Sequence, residues 1–107
     1  MHTNLQLKLQ VLGDPTRMAI FERLAHGPLA VVDIADGLPV TRPAVSQHLK
    51  VLKDAGLVTN ERAANRNLYQ LNPAGVAALR DYLDQFWQQS LQAFKKAAEK
   101  SFKEKTK

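Results

Sequence analysis

Four side chains that could contact nucleic acid recur at helical spacing in the first half of the chain: Arg42, Ser46, Lys50 and Lys53. At about 100° of rotation per residue they form one polar stripe, with Pro43 and Gln47 at its edge. A guanidinium can donate two hydrogen bonds to guanine O6 and N7, whereas ammonium groups contact phosphate. The stripe therefore has the composition of a helix face that enters a DNA major groove.

The rest of this segment favours a helix that packs on a core. Its opposite face is apolar and holds Val45, Leu49, Leu52 and Ala55, with His48 inside the same arc. Thr41 is a suitable N-cap, Pro43 falls in the first turn, and Gly56 can close the far end in a left-handed conformation. Taken alone, the pattern also fits an ordinary amphipathic surface helix, so the flanking elements decide between the two interpretations.

Length and composition indicate one domain with one core, since the chain has 107 residues of which 45% are hydrophobic. We predict that residues 1–100 form this domain and that residues 101–107 form a Lys-rich tail. Cysteine is absent, which excludes disulfides and thiolate metal sites. Without a membrane-length apolar run or a secretory signal pattern, a cytoplasmic protein is the simplest interpretation.

The net charge of +5 is unevenly distributed. Residues 95–107 hold six Lys against two Glu, so most of the excess lies in a tail that could be a solvated helix end. Residues 41–66 hold five Lys and Arg against two Asp and Glu. This local excess would attract DNA phosphate in a salt-dependent way, particularly if two subunits combined it.

Three further helices are predicted before the polar stripe. Residues 4–12 fit either a short helix capped by Asn4 or a strand, because their apolar residues alternate at first. Asp14 and Pro15 start a second helix, whose buried side we assign to Met18, Ile20, Phe21 and Leu24. Residues 29–36 form a third short helix, and the turn 37–40 joins it to the fourth. Two short helices joined by a tight turn that contains Gly constitute a helix-turn-helix.

A basic hairpin follows at once. Residues 57–60 and 67–71 have strand-like composition, and residues 61–66 form a tip in which Asn65 tolerates positive φ. A helix-turn-helix followed by such a hairpin is a winged helix. The wing would place Arg62 and Arg66 near the DNA backbone or minor groove.

The last helix begins at Asn72 and Pro73 and runs to about Lys100, with more apolar surface than a small core can bury. We therefore expect a homodimer in which the first and last helices pair across a two-fold axis. The interface residues we assign are Leu5, Leu9, Leu79, Leu83, Phe86, Trp87 and Phe94. Two alternatives are a helix that only covers its own core and a membrane-surface helix. The second is disfavoured by Asp81, Asp84 and four Gln on the polar face.

Several motifs occur in the order found in one bacterial family: residues 12–17 (LGDPTR), 42–52 (RPAVSQHLKVL), 55–58 (AGLV) and 69–71 (YQL). Over residues 5–95 the chain resembles the ArsR/SmtB repressors. The resemblance implies a mainly α (α+β) fold, namely a winged helix-turn-helix with a two-stranded wing and N- and C-terminal dimerisation helices. It also implies a nucleoid-associated homodimer that binds an imperfect inverted repeat in promoter DNA and is released by a signal. The sequence leaves open whether a small-molecule inducer, a protein inducer or no inducer at all releases it.

Carried over by position, the resemblance implies DNA contacts on the recognition helix and at the wing tip. The DNA-binding residues we assign are Thr41, Arg42, Pro43, Ser46, Gln47, Lys50, Arg62 and Arg66. Asn65 replaces a Gly that the family often has before the wing arginine. Family repressors often carry a His at position 48, which suggests a base contact. Its place in the apolar arc instead favours a packed, hydrogen-bonded structural histidine.

The family's metal and thiol sites do not carry over. Ala30 and Val32 stand where a Cys-x-Cys pair would bind metal on the third helix, and residues 73–107 contain no His. We therefore expect no metal and no cofactor. Sequence motifs of an enzyme are missing as well, which leaves a winged-helix protein-interaction module as the alternative to a DNA-binding repressor.

Overall fold

The structure is a computed structural model that describes the backbone of residues 2–105 and the side chains of residues 4–103. Met1, Thr106 and Lys107, which end the predicted domain and tail, lie outside the described residues. The described elements are α1 (His2–Leu12), α2 (Pro15–Leu24), α3 (Val31–Ala35), α4 (Arg42–Asp54), β1 (Val58–Ala63), β2 (Arg66–Leu71) and α5 (Pro73–Lys105). This order gives a mostly helical fold with one two-stranded antiparallel sheet.

The first segment is a helix and not a strand, and it begins at His2, so Asn4 lies within it and does not cap it. Asp14 caps α2 as predicted, because its carboxylate accepts a hydrogen bond from the backbone N–H of Arg17 at 2.9 Å. The Arg17 side chain donates back to the Val11 carbonyl at 2.7 Å. The second contact links the start of α2 to the end of α1.

The core lies where α2, α3 and α4 meet the base of the sheet. Its fully buried side chains are Ile20, Ile34, Val45, Leu49, Leu52, Leu57 and Val58. The prediction for α2 is right for Ile20 and Leu24, but Met18 is exposed and Phe21 is only half-buried. Val32 is exposed on α3, which is shorter than predicted. Arg23 holds the end of α3 by donating to the carbonyls of Ile34 and Asp36.

The hairpin is longer and its turn tighter than predicted. Strands β1 and β2 pair from Val58 with Leu71 to Ala63 with Arg66, which leaves only Ala64 and Asn65 in the turn. The positive φ of 57° belongs to Ala64, so its assignment to Asn65 is wrong. A two-residue hairpin loop needs positive φ at its first position, and here that position falls on Ala64. At the base, Leu29 and Tyr69 form a further antiparallel bridge.

The last helix, α5, spans 33 residues and continues past Lys100, the predicted end, to Lys105. Asn72 caps it, because its side-chain oxygen accepts from the N–H of Ala74 at 3.1 Å. Near its start Gly75 is buried against the turn after α4. A Cβ at this position would lie 2.0 Å from the Gly56 carbonyl oxygen, so only glycine allows the two backbones to approach this closely.

Candidate nucleic-acid interface

Both ends of α4 are fixed by local sequence as predicted. Thr41 Oγ1 accepts a hydrogen bond from the N–H of Ala44 at 3.3 Å, and Pro43 lies in the first turn. At the far end Gly56 has φ 78°, its N–H bonds to the Lys53 carbonyl, and the N–H of Leu57 bonds to the Leu52 carbonyl. This pair of bonds is a Schellman motif, which satisfies carbonyls that the helix leaves free.

The two faces of α4 separate as the sequence predicts. Val45, Leu49 and Leu52 have no exposed surface, so they fix the rotation of the helix about its axis. The side chains assigned to DNA on this helix are all exposed: Thr41, Arg42, Pro43, Ser46, Gln47 and Lys50. The described part of the chain therefore leaves this polar, basic helix face uncovered, as it must be for the helix to enter a DNA major groove.

The two wing arginines differ in their surroundings. Arg62 and Arg66 are both exposed on the hairpin, as predicted. Arg66, however, turns back toward α3, where its Nη2 lies 2.6 Å from Asp33 Oδ2. This ion pair joins the wing to the first helix of the helix-turn-helix.

A groove of about 350 Å³ runs between α3 and the start of α4. Asp33, Asp36 and Arg42 are among its lining residues, together with the exposed Val32. The Asp33 carboxylate thus borders a groove shared with Arg42 while it bonds to Arg66. Asp33 therefore lines the same groove as Arg42, a predicted base contact, and forms an ion pair with Arg66, a predicted wing contact.

His48 lies at the edge of the packed region. It is half-buried, and within residues 4–103 no hydrogen bond to it is found, so the hydrogen-bonded role predicted for it is not seen. The pKa of the Asp14 carboxyl is lowered chiefly by the hydrogen bond from the N–H of Arg17. The charge of Arg17 lowers it further, whereas desolvation acts in the opposite direction.

The expected dimer residues fall into three groups. Leu79 is only 8% exposed and packs in the subunit's own core, so little of its side chain is left to contact a second copy. Leu5 is half-buried against that core. The remaining five are exposed: Leu9, Leu83, Phe86, Trp87 and Phe94. Phe86, Trp87 and Phe94 expose 60%, 61% and 73% of their surface, which leaves a large apolar stripe on α5 without cover.

Three residues that position these surfaces were missed by the sequence reasoning. Asp33 lies 33 positions from its partner Arg66, and no local pattern links the two. Arg23, which donates to carbonyls at the end of α3, was given no role by the sequence. Gly75 did carry a signal, because a glycine inside a helical pattern indicates a close backbone approach.

Among the described side chains, those of residues 4–103, no group of three or more His, Asp or Glu could hold a metal ion. In the same residues no helix combines the length and apolarity needed to cross a bilayer.

A helix-turn-helix with an exposed polar second helix, followed by a two-stranded basic wing, defines a winged helix-turn-helix DNA-binding protein. Comparisons with known proteins support this assignment to the winged helix-turn-helix class. A family model described as a helix-turn-helix domain matches residues 12–61. Over 85 residues the chain is 61% identical to the HTH-type transcriptional regulator Rv2034 of Mycobacterium tuberculosis, covering 79% of each chain.

Two further comparisons narrow the class. The HTH-type transcriptional repressor SmtB of Mycobacterium tuberculosis is 46% identical over 63 residues, which are 59% of this chain and 47% of that repressor. The solution structure of the homodimeric winged helix-turn-helix DNA-binding domain of Mb0332 from Mycobacterium bovis, described as a possible ArsR-family transcriptional regulator, superposes with a TM-score of 0.66. It is 26% identical and covers 85% of this chain and 84% of that domain. The chain belongs to the ArsR/SmtB family of transcriptional regulators.

Proposed function

We propose that this regulator is a homodimeric repressor that binds an imperfect inverted repeat in promoter DNA. The observation that carries the proposal is the open polar face of α4, whose side chains remain uncovered while its other face is fully buried. Arg42 reads a base, Ser46 and Gln47 contact base edges, and Lys50 contacts phosphate. Arg62 and Arg66 extend the contact to the wing.

A second copy of the chain completes the DNA-binding unit in this proposal. The uncovered stripe on α5 and the exposed Leu9 of α1 supply apolar surface for a two-fold interface. The homodimeric state of the Mb0332 domain supports this arrangement. Two subunits would then present their α4 helices to successive major grooves about 34 Å apart on one side of the duplex.

Repression follows if the dimer occupies a promoter, and an inducer would act by changing the dimer's geometry. Neither cysteine nor a histidine cluster is present for the thiol or metal chemistry of other members. An apolar groove of about 410 Å³ between α2 and α5, bordered by Met18, Phe21 and Leu83, offers one place where a small molecule could bind.

Selection from a random-sequence pool with the full chain, followed by gel shifts at two salt concentrations, tests the proposal. The expected result is a selected sequence with two related half-sites whose centres are about one helical turn apart. Affinity for it should fall steeply with salt, because phosphate contacts release counterions. A chain that enriches no sequence and ignores duplex DNA at low salt would instead be a protein-interaction module.

A further inference from the structure

The ion pair between Arg66 and Asp33 joins the wing to α3, two parts of the proposed DNA-binding surface. Arg66 Nη2 and Asp33 Oδ2 are 2.6 Å apart, and the two side chains keep 60% and 47% of their surface exposed. Among residues 4–103 neither side chain makes another ion pair or hydrogen bond, so the charge of each is balanced by the other. The pair lies on the surface, where a large ligand can reach it.

The wing does not depend on this pair for its position. At the base of the hairpin the backbones of Leu29 and Tyr69 exchange two hydrogen bonds of 2.9 and 2.8 Å. Leu29 and Tyr69 also pack against the core. An exposed ion pair adds little stability to such an arrangement. The Asp33 carboxylate therefore acts on the direction of the Arg66 side chain rather than on the fold of the hairpin.

Carboxylate and phosphate compete for the same guanidinium. Arg binds both groups through the same planar set of N–H donors, so an N–H that points at Asp33 is not available to DNA. A carboxylate that keeps its place would also stand near the phosphates and repel them. The groove beside it contains Arg42, so the same negative charge acts on a second predicted DNA contact.

We propose that Asp33 holds Arg66 away from DNA in the free protein and thereby lowers the affinity for the operator. DNA binding then requires Arg66 to leave the carboxylate and turn to a phosphate or the minor groove. Asp33 is in this sense a positioning residue that sets operator affinity. The inference rests on the proposed function, because it assigns Arg66 to DNA.

The test compares five variants of the chain by titrating the selected duplex and a scrambled duplex of equal length at fixed salt. Asp33→Asn removes the charge with little change in shape. Asp36→Asn is the matched control, since it removes the same charge from the same groove, and no ion pair of Asp36 is found among residues 4–103. Asp33→Glu retains the charge. Asp33→Asn combined with Arg66→Ala, measured against Arg66→Ala alone, closes a double-mutant cycle.

Asp33→Asn should bind the selected duplex about two- to fivefold more tightly than the unchanged protein, as expected for loss of an exposed ion pair. Asp36→Asn should show a smaller gain, which measures the general effect of one less negative charge. The extra gain should disappear when Arg66 is Ala, and Asp33→Glu should bind like the unchanged protein. Thermal unfolding of all variants should differ little.

Two results would overturn the proposal. One is a gain from Asp33→Asn that is no larger than that from Asp36→Asn or that persists without Arg66. The other is weaker binding by Asp33→Asn, which would mean that Asp33 prepares the wing for DNA. If the unchanged protein binds no duplex while it folds normally, the proposed function itself fails, which is a different result from either of these.

Discussion

At the scale of single residues, the exposed face of α4 assigns different tasks to neighbouring side chains. Arg42 stands in the first turn beside the groove lined by Asp33 and Asp36, whereas Lys50 and Lys53 lie further along the helix. The first turn of a recognition helix is the part that meets base edges. We therefore expect Arg42 to determine the sequence preference of binding, and Lys50 and Lys53 to contribute affinity for any duplex.

Replacing Arg42 with Ala should weaken operator binding by roughly 1–3 kcal/mol and relax the preference at one base of each half-site, because the two hydrogen bonds to guanine are lost. Titration of the selected duplex and of duplexes altered at single positions measures both effects. Lys53→Ala serves as the control, since loss of a phosphate contact weakens all duplexes alike. Unchanged affinity and selectivity in the Arg42 variant would contradict its assignment as a base reader.

Replacing Asp14 with Ala should destabilise the protein at neutral pH, because the free N–H of Arg17 at the start of α2 loses its acceptor. The lowered pKa of Asp14 means that its contribution is present above its ordinary value of 3.8 and is lost as the pH falls through the lower folded value. Urea unfolding of both proteins from pH 7 to pH 2 should show the difference shrinking in acid. Asp14→Asn should keep the cap without that pH dependence.

Residue-scale prediction worked where a local pattern settles the outcome. Helical periodicity separated the buried Val45 and Leu49 from the exposed Ser46 and Gln47, because burial on a helix follows its 100° repeat. The partner of Arg66 was out of reach of such reasoning. That contact depends on how the hairpin is placed against α3, which no spacing in the sequence encodes.

At the scale of elements, capping signals were the most informative part of the sequence. Asp14, Thr41 and Asn72 each accept the backbone hydrogen bond predicted for an N-cap, since their short side chains reach the first free N–H groups. The hairpin turn was predicted less well. Propensity favours Asn at positive φ, but strand register placed Ala64 there and so overrode the preference of the residue.

Replacing Gly75 with Ala should cost about 3 kcal/mol or more of folding free energy, because a Cβ there overlaps backbone that cannot move aside. Chemical denaturation measures the change. The exposed neighbour gives the control: Ala74→Gly should cost about 1 kcal/mol or less, the size of the helix-propensity difference alone. A Gly75→Ala protein as stable as the parent would show that α5 and the turn after α4 separate easily.

At the scale of the whole molecule, α5 decides the shape. The chain measures 72 × 28 × 23 Å, and a helix of 33 residues supplies about 50 Å of the long dimension at about 1.5 Å per residue. From Arg80 to Lys103 every described residue is exposed. The sequence predicted the surplus of apolar residues on this helix. It did not predict the division at Leu79, which depends on where α5 leaves the body of the domain.

Replacing Trp87 with Lys should convert the proposed dimer to a monomer, because a charge would be buried in the apolar stripe. Operator binding should weaken as well, because a monomer binds only one half-site at a time. Light scattering gives the oligomeric state, and titration of the selected duplex gives the affinity. Gln88→Lys adds the same charge to the neighbouring polar face and should leave the dimer intact. A dimeric Trp87→Lys protein would place the interface elsewhere.

The close approach of Gly75 to Gly56 gives α5 a mechanical connection to α4. Gly56 follows the helix proposed to face DNA, and Gly75 lies in the first turn of the helix proposed to face a second copy. Under these proposals, a molecule that changes how the two subunits pack against each other would also shift the α4 helices through this backbone contact, without touching them.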